Sequence, residues 1–518
     1  MSSAANAPVA IDPSRIGHKG MITVSIMLAT IMQALDTTIA NVALPHMQGT
    51  LQASADQITW VLTSYIVAAA IATPLTGWLC TQWGRKHVFL ISVTGFTIAS
   101  ALCGMADSMW QIVAARLLQG IFGAALVPLS QAVLLDINPP AKAGQAMAVW
   151  GAGIMIGPIL GPMLGGWLTE AYDWRWVFYI NLPVGVLAFY GIARYLPETR
   201  SADSPLDLFG FATLSLAIGL LQLFLDRGEQ LDWFNSNEIR IEAIGALIAF
   251  VFFVAHTWTV RGNSFFDRAL LRDRNFVVGT AFAFIVGLIL YATMALLPNL
   301  LQGLLGYTVV YTGEVTAPRG IGTMLAMMAV GKLMHVIDVR TIMAVGFAAI
   351  ALALYQMTAI TLDMDSTLII VSGFIQGIGI GLVFVPLSAV TFSTLAPQLR
   401  NNGTPIFSLL RNIGSSVGIS IVQALLTEGT ARAHAGLSEA ITPASQAVQD
   451  LPAMVSPSSP SGLAALNSLI DRQAAMISYL GDFKLMMWLT ILSLPLVFLL
   501  RRPAHGSPGG PAAADAAH

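Results

Sequence analysis

Asp36 lies deep in an apolar run, in the stretch Leu35-Asp36-Thr37-Thr38-Ile39-Ala40-Asn41-Val42-Ala43-Leu44-Pro45. A carboxylate at that depth in hydrocarbon costs several kcal/mol unless it is paired, wetted or protonated. Gain and loss of a proton is therefore one way such a site is tolerated, and it is what a proton carrier requires. The other reading is a structural partner for a buried cation, or a polar group that bends the helix. Arg116 supplies a cation in the fourth apolar run. It lies about five residues from one face and Asp36 about nine from the same face, so at about 1.5 Å of rise per residue their depths nearly match. Facing each other, they would set a proton and a guanidinium in competition for one carboxylate, linking protonation to conformation. A cation that only packs helices and bonds backbone carbonyls remains the alternative. Asn41 and Gln119, polar in these same two runs, are further candidates for substrate or coupling contacts.

Three more charges sit inside or at the ends of apolar runs: Glu314, Arg319 and Arg411. Substrate or coupling roles and structural roles are both open for them. Arg319 can snorkel or pair with Glu314, and Arg411 opens the small-residue run Arg411-Asn412-Ile413-Gly414-Ser415-Ser416-Val417-Gly418. The fifth run carries glycine at every fourth position, Gly153, Gly157, Gly161 and Gly165, with Pro158 and Pro162 following two of them. Spacing by four lines the glycines along one helix stripe where another backbone can approach closely, and the prolines remove backbone donors. A structural or gating role fits this pattern. Gly77, Gly84, Arg85 and Lys86 make a tight turn whose cations suit helix C-termini or anionic headgroups. A conformational latch is the sharper reading, plain anchoring the simpler one.

These residues must be held by membrane-spanning helices. The 518-residue chain is 56% hydrophobic and only 10% charged, against about 25% charge in soluble domains. A net charge of −2 gives no reason to expect nucleic acid. Cys80 and Cys103 fall in apolar runs and read as packing residues, with no disulfide or metal framework. The eight histidines include no HxxxH-like pairing, and no acid/base pair or metal cluster points to an enzyme. The first 19 residues lack a cleavage site, so no removed signal peptide is expected.

Runs of about 20 apolar residues mark spans near 21–44, 58–82, 88–104, 111–135, 145–168, 176–195, 206–225, 241–260, 276–300, 311–334, 342–359, 367–391, 404–426 and 483–500. The expectation is an all-α membrane protein of fourteen helices with both termini on one side. With the termini cytoplasmic, sixteen of the 25 Lys and Arg fall inside, six outside and three within spans, the bias of the positive-inside rule.

The sequence also repeats. Gln119-Gly120-Ile121 and Val127-Pro128-Leu129-Ser130 return as Gln376-Gly377-Ile378 and Val385-Pro386-Leu387-Ser388, so span n matches span n + 8. The domain organisation expected is a tail (1–20), a six-helix bundle (21–200), two linking helices (201–262), a second six-helix bundle (263–502) and a tail (503–518). Such duplication marks carriers that rock around a midplane site. In the repeat Gly373 takes the slot of Arg116, and Ile289 or its neighbours that of Asp36, which leaves coupling chemistry to the first bundle alone. The long segment 427–482, with its Ser/Pro stretch at 456–461, is read as a flexible insertion or a docking loop.

On these motifs the chain resembles the major facilitator superfamily, and within it the fourteen-span drug:proton antiporters of the EmrB/QacA type, over nearly its whole length. Leu35 to Pro45 resembles that family's first-helix motif, Arg116-Leu117-Leu118-Gln119-Gly120 its proton-coupling motif in the fourth helix, and Gly153 to Gly166 its antiporter motif. Leu225 to Phe234, with Leu297-Pro298-Asn299-Leu300-Leu301-Gln302, is similar to the EmrB branch. One position departs: Thr81 stands where the motif after Gly77 usually carries an acid. The resemblance implies proton-driven efflux of small amphipathic or lipophilic compounds across the inner membrane, with no cofactor beyond the proton gradient. It also implies a periplasmic membrane-fusion adaptor and an outer-membrane channel as partners. A dedicated exporter of one metabolite and a symporting importer share the same fold.

Overall fold

The computed structural model describes residues 17–139, 142–198, 205–260, 265–396, 399–441 and 459–500. The expected tails therefore fall outside these residues, apart from 17–20, as do Arg15, Arg200, Arg261, Arg501, Arg502 and the middle of the 427–482 segment. Among the described residues all regular structure is helical.

The first half contains α1 (Lys19–Thr50), α2 (Ala55–Ala72), α3 (Leu75–Trp83), α4 (Arg85–Met105), α5 (Met109–Gly123), α6 (Leu126–Ile137), α7 (Ala143–Ala171), α8 (Trp176–Tyr179) and α9 (Asn181–Tyr195). Two linking helices follow, α10 (Leu208–Arg227) and α11 (Asn237–Thr259). The second half contains α12 (Arg274–Asn299), α13 (Val309–Leu333), α14 (Val339–Met357), α15 (Thr367–Ser393), α16 (Arg400–Ala440) and α17 (Pro460–Ser493).

Local chemistry sets the ends. Ser54 and Gln57 close a reciprocal capping box at the start of α2. Pro74 then breaks the second span, and α2 and α3 meet at 55°. Gly84 has φ 83, a conformation that glycine alone adopts without strain, and it turns α3 into α4. By contrast α7 runs unbroken through Pro158 and Pro162.

Among the described residues twelve helices are long and apolar enough to cross a bilayer, and the bent pair makes a thirteenth. The expected span 311–334 is α13, whose 25 residues include Glu314, Arg319 and Lys332. These charges leave it less apolar than the rest, and it packs inside, against α7 and α15. Its length accommodates a fourteenth crossing.

Packing reproduces the repeat. In the first half α1 lies against α7, α2 against α5, α4 against α5 and α9. In the second half α12 lies against α16, α13 against α15, α14 against α15 and α17. Small residues permit both principal contacts. A Cβ on Gly157 would stand 2.5 Å from the Ala34 carbonyl carbon, and one on Gly418 would stand 2.8 Å from Leu288 Cα. The linking helices lie along one flank: α10 touches both α2 and α16, where Gln222 Nε2 donates to Ser416 Oγ at 2.7 Å. The expected 427–482 insertion is instead largely helical on both flanks. Here α16 and α17 run on past the spans as a hairpin, with Ser478 Oγ donating to the Leu426 carbonyl at 3.0 Å.

Candidate coupling site

Asp36 is fully buried on α1, and so is Arg116 on α5. The pair meets, with Arg116 Nη1 2.7 Å from Asp36 Oδ2. Two amides complete the carboxylate's coordination: Gln119 Nε2 and Asn181 Nδ2 donate to Asp36 Oδ1 at 2.8 and 2.9 Å. Asn181 also donates to Ser100 Oγ, which in turn donates to the Phe178 carbonyl. Arg116 has partners of its own besides Asp36: Nε donates to the Val61 carbonyl at 3.0 Å and Nη1 to Gln119 Oε1 at 2.7 Å. Its guanidinium lies 4.4 Å from the centroid of the Tyr65 ring.

Every donor around Asp36 suits the ionised form. Protonation would remove the charge that three donors converge on, while Arg116 keeps Val61 and Gln119 as acceptors. Loss of that charge would change what ties α1 to α5 and α9. That is the physical requirement for a proton to act on helix packing.

Among the expected residues, the structure brings Asp36, Arg116 and Gln119 together. Asn181, Ser100 and Tyr65 belong to the same cluster and were not expected. Asn181 is a lone amide at the start of an apolar helix, the same signal that singles out Gln119. Asn41 stands apart, exposed, with its amide directed at the Thr37 carbonyl. Glu314 is exposed on α13 and does not pair with Arg319, whose Nη2 donates to the Leu290 carbonyl at 3.3 Å. Arg411 lies buried beside Phe384.

In the second bundle Gln376 Nε2 reaches Thr293 Oγ1 at 3.4 Å, the counterpart of Gln119 reaching Asp36. Thr293, one turn beyond Ile289, thus holds the slot of Asp36, and it is neutral.

The glycines of the stripe face α1: Gly153 meets Met27, Gly157 Ala34, Gly161 Thr38 and Gly165 Ile39. Thr38 Oγ1 adds a hydrogen bond to the Gly157 carbonyl at 3.0 Å. The same stripe thus fixes the helix that carries Asp36.

The turn after α3 forms a cross-bundle tie despite Thr81, whose hydroxyl donates to the Gly77 carbonyl of its own helix. Its acid comes from elsewhere. Asp136, at the end of α6, pairs with Arg85 and, through Oδ1 at 2.9 Å, with Arg400 on α16. Arg85 Nε also donates to Asn401 Oδ1 at 2.7 Å. Gly77 is needed because a Cβ there would stand 2.5 Å from Asn402 Oδ1 and 2.9 Å from the Asn401 carbonyl oxygen. Lys86 is half-buried beside this tie. Further along the interface Trp150 on α7 stacks on Phe384 of α15 at 5.8 Å, and Gly331 and Gly151 of the facing helices meet Ala148 and Met327. All these bundle-to-bundle contacts lie toward the side of the α3–α4 turn, so the molecule is closed on that side.

Two repeated helical bundles, tied on one side and holding a buried carboxylate–guanidinium cluster, define a secondary carrier of the rocking type. The chain belongs to the major facilitator superfamily, whose description matches residues 26–419. It is 37% identical over 498 residues to the fatty acid resistance protein FarB of Neisseria gonorrhoeae, covering 94% of this chain and 97% of that one. It is 38% identical over 427 residues to the multidrug export protein EmrB of Escherichia coli (strain K12), covering 82% and 83%. The crystal structure of the human organic anion transporter MFSD10 (TETRAN) shares the fold, with TM-score 0.57 at 17% identity over 92% of this chain and all of that one.

Proposed function

We propose that this chain is a proton-driven exporter that moves small amphipathic or lipophilic compounds across the inner membrane, with coupling seated in the N-terminal bundle. The observation that carries the reading is the buried Asp36–Arg116 pair with its two amide donors. The names of the relatives, one a multidrug export protein and one a fatty acid resistance protein, support export of such compounds. The Lys and Arg bias supports cytoplasmic termini, which makes the tied side the cytoplasmic one and the α16–α17 hairpin periplasmic. That hairpin is the surface we assign to a membrane-fusion adaptor, which would pass cargo to an outer-membrane channel. No cofactor is required, since the proton gradient supplies the energy.

Everted vesicles test the coupling. Asp36→Asn keeps the side-chain volume and removes the titratable group, turning one acceptor oxygen into a donor. We expect it to abolish proton-coupled efflux of a fluorescent substrate while the protein remains present at parental amounts. Undiminished proton-dependent transport would remove Asp36 from the role.

A further inference from the structure

The two bundles balance their buried charge differently. In the first, Asp36 answers Arg116. In the second, Arg319 on α13 and Arg411 on α16 are each only 8% exposed, and among the described residues neither has a carboxylate within ion-pair reach. Arg319 has the single bond to the Leu290 carbonyl, at the long distance of 3.3 Å. Arg411 Nη2 is 3.5 Å from Asn412 Oδ1, and its Nε has no partner. Its guanidinium lies 5.8 Å from the Phe384 ring centroid. A cation withdrawn from water is costly unless an anion or a full set of acceptors replaces its hydration, and a long carbonyl contact for one, with a distant amide oxygen and a ring face for the other, do not make such a set.

Arg319 and Arg411 stand on antiparallel helices, each roughly 15 Å from the helix end at about 1.5 Å per residue. Both are therefore near the middle of a layer about 30 Å thick, where carriers of this architecture hold cargo. Both face the α12–α15 seam: Arg319 lies against Gly373 and Gly377, and Arg411 against Gly287 and Phe384. Phe384 in turn stacks on Trp150 of the opposite bundle, so the apolar surface next to the cations is shared between the two halves. Gln376 Oε1, also unpartnered and fully buried, lies on α15 between Gly373 and Gly377, the two glycines that face Arg319.

We propose that Arg319 and Arg411 form an anion subsite in the C-terminal bundle that receives the carboxylate of an amphipathic organic acid, while the apolar tail lies against the Phe384–Trp150 surface. The subsite rests on the exporter reading above and narrows its cargo. Division of labour follows: the N-terminal bundle takes the proton on a carboxylate and the C-terminal bundle takes the substrate's negative charge on guanidiniums. A neutral amphiphile of the same shape gains nothing from them.

The test compares dodecanoate with its uncharged amide, using the purified full chain. Binding is read first, as the rise in melting temperature in detergent, and transport second, in proteoliposomes with an imposed proton gradient. We expect dodecanoate to stabilise the parent protein. Arg319→Gln and Arg411→Gln should each raise its half-saturating concentration tenfold or more while moving that of the amide by less than twofold. Arg319→Lys and Arg411→Lys, which keep the charge, should retain much of the effect and guard against simple misfolding. Equal losses for both ligands, no loss for either, or no stabilisation of the parent by dodecanoate would each overturn the subsite. Stabilisation by chloride matching that by dodecanoate would assign the cations to a small inorganic ion and overturn it as well. Because binding is measured without a gradient, it stands even where the coupled transport of the preceding section fails.

Discussion

Asp36 has two oxygens and three donors, and that count decides what Arg116 contributes. The amides of Gln119 and Asn181 stay bound to Oδ1 if the guanidinium is lost, but the charge does not stay balanced. Removing one member of a buried ion pair typically costs about 3–5 kcal/mol because the other charge is left behind. Arg116→Ala should therefore lower the melting temperature in detergent and also displace the pH profile of transport, since a proton would then neutralise Asp36 unopposed. A profile matching the parent's would show that guanidinium and proton do not compete. Matching depth along two helices was enough to pair these residues from sequence. The amide of Asn181 carries the same signal as Gln119, a polar side chain in an apolar run, but it lies in a span with no buried charge to draw attention to it, and only folding brings it to Asp36. Asn41 falls outside the cluster for a geometric reason: five residues beyond Asp36 on a helix is a different face, and it is exposed there.

At the scale of elements, sequence periodicity located the helices well and their ends poorly. The segment beyond residue 426 reads as a loop because its Ser/Pro stretch dominates, yet α16 continues to Ala440 and α17 begins at Pro460. Alanine-rich flanks favour helix, and here they pair as a hairpin. The break at Pro74 likewise divides what reads as one span. The linking helices show how a polar cap secures an apolar rod. Asp207 caps α10, accepting from Gly210 N and from Phe265 N at 3.0 Å, and it pairs with His256 Nε2 of α11 at 2.8 Å. Burial pushes its carboxyl pKa up, but these hydrogen bonds and the His256 charge outweigh that and hold it below the ordinary value. A depressed carboxyl contributes stability that is full above the unfolded value of about 3.9 and is lost as pH falls through the folded one. Asp207→Ala should thus cost about 1 kcal/mol at pH 7, the usual worth of an N-cap. The deficit against the parent should shrink on acidification below about pH 4, which melting curves at both pH values would reveal.

The whole molecule is two bundles held together by the packing of α7 on α13 and by the Asp136 tie. The repeat and the charge asymmetry made the two-bundle plan readable in the sequence. Which side is closed was not readable, because Asp136, Arg85 and Arg400 come from three distant segments and only folding brings them together. Thr81 had removed the local acid, and the carboxylate of α6 takes its place across the interface. Asp136→Asn leaves both arginines without their anion and should shift the population toward opening on the tied side. A cysteine placed at Ala148, under the α7–α13 contact, reports this in a chain whose Cys80 and Cys103 are changed to Ser. Its labelling by a membrane-impermeant maleimide in everted vesicles should be severalfold faster with Asp136→Asn than without. Equal rates would mean that the tie does not hold the bundles together.

The 41 residues of α16 amount to about 60 Å of continuous rod, roughly twice the hydrocarbon thickness. Its base carries Arg400 and Asn401 of the tie, Arg411 sits about a quarter of the way along, and its far end stands clear of the layer in the hairpin with α17. Such a rod is a lever. A tilt of the C-terminal bundle is felt at the tip in proportion to distance, about half an ångström per degree at 30 Å from the pivot. Release of the tie at one face of the membrane is thereby broadcast as a sideways sweep at the other, with no signal needing to pass through the side chains between.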